Sequence, residues 1–168
     1  MASIDATDEV RADARRLARA IGIAAVVLWA LLILERFGAP ALALVQQGAD
    51  AATLRGLAQP LIGIAPDIAY LVALHSIRGA LASFARGEFF APTVTRMLVR
   101  VGALLAIGAF AGTFVVPLVE RALGWSPGYW IAFDVSGLVL GAVGLALIVI
   151  ARVLQRASAI ESELDGIF

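Results

Sequence analysis

Four apolar runs, separated by short polar stretches, organise the 168-residue chain. They cover residues 17–36, 60–84, 97–118 and 129–153. A helix rises 1.5 Å per residue, so about 20 residues cross a 30 Å hydrocarbon core, and each run is long enough. The pattern predicts an all-α integral membrane protein, a four-helix transmembrane bundle whose short connections make sequence neighbours antiparallel. The second run is the least apolar, because it holds Pro66, Asp67 and His75. The third has Pro117 near its exit, and the fourth is interrupted by one acid, Asp134.

Three regions follow. Residues 1–18 form a polar arm in which Asp5, Asp8, Glu9 and Asp13 alternate with Arg11, Arg15 and Arg16, without glycine or proline. Opposite charges three and four apart suit an exposed helix running into the membrane. Residues 19–156 form the transmembrane domain. Residues 157–168 form an amphipathic tail, with Ile160, Leu164 and Ile167 set against Glu161, Glu163 and Asp165. Between the first two runs, residues 39–59 carry Gln46, Gln47, Asp50 and Arg55 and read as an extramembrane connection with some helix. Ala41-Leu42-Ala43 would suit signal cleavage after the first run. The acidic arm, and Glu35 with Arg36 ahead of that site, favour a retained helix.

Charge placement orients the chain. All thirteen basic residues are arginine, as expected of a GC-rich coding bias. Ten of them lie in or just after the arm, around the connection between runs two and three, or at and beyond the end of run four. Only Arg36, Arg55 and Arg121 fall on the other side. Cytoplasmic loops hold the excess of basic residues, so both termini are expected in the cytoplasm of a bacterial inner membrane protein. Trp125, Tyr129 and Trp130 then mark the outer interface.

Composition narrows the function. Sixty-one per cent of residues are hydrophobic and 15% charged, far from the soluble norm of about half and a quarter. Net charge is zero, which gives nucleic acid no reason to bind. The absence of cysteine removes disulfides, thiolate zinc sites and thiol-ligated clusters.

The turn Phe84-Ala85-Arg86-Gly87-Glu88-Phe89-Phe90-Ala91-Pro92 and the ending Ala151-Arg152-Val153-Leu154-Gln155-Arg156 then Glu161-Ser162-Glu163-Leu164-Asp165, with the four-run spacing, carry a likeness. Together they resemble the bacterial membrane proteins catalogued as domain of unknown function 2975, from the first run to the tail. Ala91 stands where that family often has Ser, and the tail ends in apolar Ile167 and Phe168 rather than continuing acidic. The resemblance implies a four-span inner-membrane protein and supplies no catalytic residues.

Candidate chemistry sits in the polar residues of the runs. Asp67 and Asp134, with Glu35, Arg36, Glu120 and Arg121, outline a ligand-binding pocket in the outer half of the bundle. The competing reading makes both acids hydrated starts to their helices, which fits Asp134 better and leaves Asp67 open between the two. His75, two turns beyond Asp67, suggests a proton or ligand ladder, against a simple hydrogen bond to a neighbouring helix. Gly108 and Gly112 in run three, and Gly137, Gly141 and Gly144 in run four, have the spacing of close helix packing and are expected to join those two runs. No nucleophile, phosphate loop or metal-binding motif is present, so no catalytic residue, metal or cofactor is expected. The chain reads as a non-enzymatic accessory or regulatory protein whose partners are the lipid bilayer and another protein. Transport or sensing through the polar pocket, and a structural place in a larger complex, are the alternatives; a homo-oligomer is compatible with all three.

Overall fold

Why these residues coil is plain from their type: long apolar segments must satisfy every backbone N–H and C=O internally, and a helix does so within one segment. The computed structural model describes residues 2–48, 51–86, 91–125, 131 and 134–165. Every element among them is helical: α1 Ala2–Gln47, α2 Ala51–Gly63, α3 Ala65–Ala85, α4 Ala91–Phe110, a π segment Ala111–Val115, α5 Val116–Ala122 and α6 Val135–Asp165. Three stretches are long and apolar enough to span a membrane: Ala12–Gln46, Val94–Ala122 and Val135–Ile160. A fourth is a bent pair, Gly56–Gly63 with Ala65–Ser83, so the chain has three to four membrane-compatible helices. Tyr129, Trp130, Ile167 and part of the turn before α4 (residues 87–90) lie outside the described residues.

The breaks have local causes. The arm and the first run are one helix of 46 residues that passes through Pro40 without stopping. The expected connection over residues 39–59 is therefore mostly helix. α1 ends at Gly48, whose φ of 83° is open to glycine at little cost, while its N–H reaches the Leu44 carbonyl at 3.1 Å. Between α2 and α3 the chain bends by 44°. Pro66 lacks an N–H and its ring crowds the carbonyl of Ile62, so α3 must start anew there, with the proline in its first turn. Pro117 acts similarly on α4. The chain widens into the π segment just ahead of it, and the Val116 N–H bonds the Ala111 carbonyl, five residues back. α5 stops at Gly124, φ 67°, where the N–H of Trp125 bonds the Glu120 carbonyl at 2.9 Å and that of Gly124 bonds Arg121 at 3.0 Å. This is the doubled closure that a left-handed glycine permits.

The long helices stand in a row, α1 beside α3, α3 beside α4, α4 beside α6. No extended contact joins α1 to α6 among the described residues, so the expected four-helix bundle takes the form of an open layer. Accessible surface measures this: 11329 Å², against about 7,900 Å² expected of a folded soluble chain of this mass. Among the described residues, the buried apolar ones are mostly alanines, such as Ala73 at 2% exposure, and no large side chain is fully buried. Ile23, Val26 and Leu34 on α1 and Val139, Leu145 and Val149 on α6 face outward. Large aliphatics outside and small residues between helices are compatible with solvation by lipid, where apolar surface gains nothing by hiding.

Candidate functional site

Glycine stripes set the distances between helices, and α4 carries two of them. A methyl group on Gly144 would lie 2.5 Å from the Gly102 carbonyl oxygen, and one on Gly102 would lie 2.5 Å from the Gly144 oxygen. The α4–α6 backbones thus touch reciprocally, with each Cα–H aimed at the other's carbonyl. Gly141 rests on Ala109. Gly108 and Gly112 do something else. A methyl group on Gly108 would stand 2.6 Å from the Tyr70 ring, and one on Gly112 would stand 3.3 Å from Pro66. Both glycines therefore serve the α3–α4 interface, not the junction of runs three and four expected of them. At 3.6 residues per turn, Gly102, Ala106 and Ala109 lie about a hundred degrees around α4 from Gly108 and Gly112. Gly137 meets neither α4 stripe: its nearest atoms are Asp134 Oδ2 and then the Tyr70 hydroxyl.

Those contacts assemble one polar end. Arg36 Nη2 of α1 donates to Asp67 Oδ2 of α3 at 3.0 Å, and the two side chains keep 41% and 30% of their exposure. The α2–α3 bend makes this possible by putting Asp67 in the first turn of α3, where the helix dipole favours a carboxylate. Gly63 lies against the same guanidinium. One turn on, Tyr70 crosses from α3 over Gly108 to the start of α6, where its hydroxyl and Asp134 Oδ2 both lie beside Gly137. Asp134 is exposed and accepts the Ser136 N–H on Oδ1 at 3.0 Å, capping α6. Glu35 is exposed, away from the Arg36 side that meets α3. The structure therefore pairs Arg36 with Asp67, sets the Tyr70 hydroxyl beside Asp134 at the start of α6, and leaves Glu35 out.

His75 belongs to the other end. It lines a cleft of about 470 Å³ between α3 and α4 with Ser76, Ser83, Arg96 and Arg100. No Asp67–His75 ladder forms, since Asp67 is turned to Arg36 on α1. The same end holds a cleft of about 610 Å³ between α1 and α3, which includes Arg19 and Arg78. Arg152 and Arg156 of α6 line a further one. Tyr70 and Gly102 are the residues that sequence reading missed. Tyr70 had a signal, being a polar-tipped aromatic three residues after Asp67 inside a run, and Gly102 had one in its spacing to Ala106.

The family model described as protein of unknown function (DUF2975) matches residues 43–167. The chain belongs to that family. The DUF2975 match starts after residues 17–36, so the first span, which the resemblance was expected to include, lies outside it. No curated protein and no solved structure matches the chain. Among the described residues no group of three or more His, Cys, Asp or Glu could hold a metal ion.

Proposed function

We propose that this chain is a non-enzymatic accessory or regulatory protein of the bacterial cytoplasmic membrane that acts by binding another protein. It crosses the bilayer four times, with antiparallel neighbours and both termini in the cytoplasm. The observation that carries the reading is the length of α1 and α6. At 1.5 Å per residue, helices of 46 and 31 residues are about 69 and 46 Å long, against a hydrocarbon core of about 30 Å. Each therefore projects well beyond the layer. The pairings Gly22 with Arg78, Arg36 with Asp67, Gly102 with Ile148 and Gly141 with Ala109 support antiparallel neighbours, which put the N-terminal projection of α1 and the C-terminal one of α6 on the arginine-rich side. Two rigid charged helices on one membrane face suit recruitment of a protein more than chemistry on a substrate.

The test is affinity purification in a mild detergent of the full chain and of a chain lacking residues 157–168. One protein recovered in fixed proportion with the full chain, and lost from the shortened one, is the expected result. A chain that purifies alone, or a partner indifferent to that truncation and to charge reversal in the arm, would overturn the proposal. A transport or sensing role through the outer half has one specific support, the Arg36–Asp67 pair with Tyr70 beside it. That reading requires flux or ligand response to vanish in Asp67→Asn while insertion survives.

A further inference from the structure

The cleft between α1 and α3 is built asymmetrically. At one end Arg19 of α1 and Arg78 of α3 line it together, and Arg15 borders an adjoining recess with Arg19. Gly22 admits the Arg78 side chain: a methyl group there would lie 3.0 Å from its Nε. Among the described residues, Arg15, Arg19 and Arg78 have no ion pair. Asp13, the one acid between residues 12 and 34, is engaged with Arg16 at 3.8 Å in the open. Guanidinium groups gathered without a counter-charge repel one another, and an anion between them removes the cost. From Arg19 the cleft continues along α1 over Ile23, Val26 and Val27, an aliphatic wall that ends about 12 Å along the helix from Arg19. A small soluble anion would use the charged end alone. An amphiphile with a phosphate head would use both.

We propose that this cleft binds one anionic phospholipid, its phosphate held by Arg19 and Arg78 and one acyl chain laid along Ile23, Val26 and Val27. The planar guanidinium offers paired N–H groups that match phosphate oxygens, so the contact is directional as well as electrostatic. The arrangement requires that the chain sit in a bilayer and is independent of the partner-binding role, so a chain that retains lipid but captures no protein leaves it standing.

The experiment uses the full chain in detergent, offered phosphatidylglycerol and phosphatidylcholine in equal amounts, with bound lipid read by native mass spectrometry. Phosphatidylglycerol should be retained preferentially. A basic residue near a membrane surface gives roughly a fivefold preference, so the Arg19→Gln/Arg78→Gln variant should lose about 25-fold. Arg16→Gln, outside the cleft, should change little. A phosphatidylglycerol carrying a photoreactive acyl chain should label the unaltered chain at Ile23, Val26 or Val27, a readout that does not depend on the variants folding. Equal retention of the two lipids, an equal loss in Arg16→Gln, or labelling confined to α6 would overturn the proposal. Displacement of the lipid by millimolar inorganic phosphate, without acyl labelling in the cleft, would make it a site for free anions and overturn it too.

Discussion

At the scale of single residues, the tightest constraint lies at Gly102 and Gly144, where backbone meets backbone and nothing flexible can move aside. Gly144→Ala should destabilise by about 1–3 kcal/mol through overpacking, measured as loss of thermal stability in detergent. Gly102→Ala should cost a similar amount, and the double variant less than the sum, since both open the same contact. Full additivity would mean that the helices do not touch there. The Arg36–Asp67 pair is different. With both groups still about a third exposed, Asp67→Asn should cost only about 0.2–1 kcal/mol, and a cycle with Arg36→Gln should return a coupling in the same range. A larger loss would show that the pair is shielded from water in the membrane. Sequence placed Arg36 and Asp67 in one polar region, but their contact needed a bend that no pattern of apolar residues encodes.

At the scale of elements, α2 and α3 test whether a broken helix behaves as two units. Their junction keeps hydrogen bonds from Ile64 to Pro60 and from Ile68 to Ile64, yet Pro66 contributes no donor. Hydrogen exchange should therefore be faster in α2 than in α3, because a short element can open alone. Pro66→Ala should restore the missing donor and narrow the difference. Identical exchange across both helices in the unaltered chain would rule out independent opening. Pro66 and Gly63 are visible in the sequence, as is Pro117. Pro40 is equally visible, yet α1 runs through it. Nothing in the sequence separates these prolines, and only the structure shows which one the helix carries.

For the whole molecule, the open row exposes both faces of the layer, and most of the arginines gather at one end of it. Because the chain lacks cysteine, single-cysteine variants report topology without background. Cysteines replacing Ser3, Glu88 and Ser162 should resist a membrane-impermeant thiol reagent in intact cells, and those replacing Gln47 and Ser126 should react. Labelling at Glu88 with protection at Gln47 would invert the orientation expected from arginine placement.

The sequence alone determined that the chain is helical, that it holds stretches long and apolar enough to span a membrane, and to which family it belongs. Those features depend on local length, apolarity and residue order, and a bilayer demands the first two whatever the neighbours are. Tertiary structure alone decided that Gly108 and Gly112 face Tyr70 and Pro66, that Gly144 meets Gly102, that Asp67 turns to Arg36 while His75 lies among arginines, and that four helices form a row. In a soluble helix the buried face is the apolar one and can be read from its period. Here the outward-facing side chains are large and apolar and the helix-facing ones are small and apolar, so hydrophobic periodicity scarcely distinguishes them.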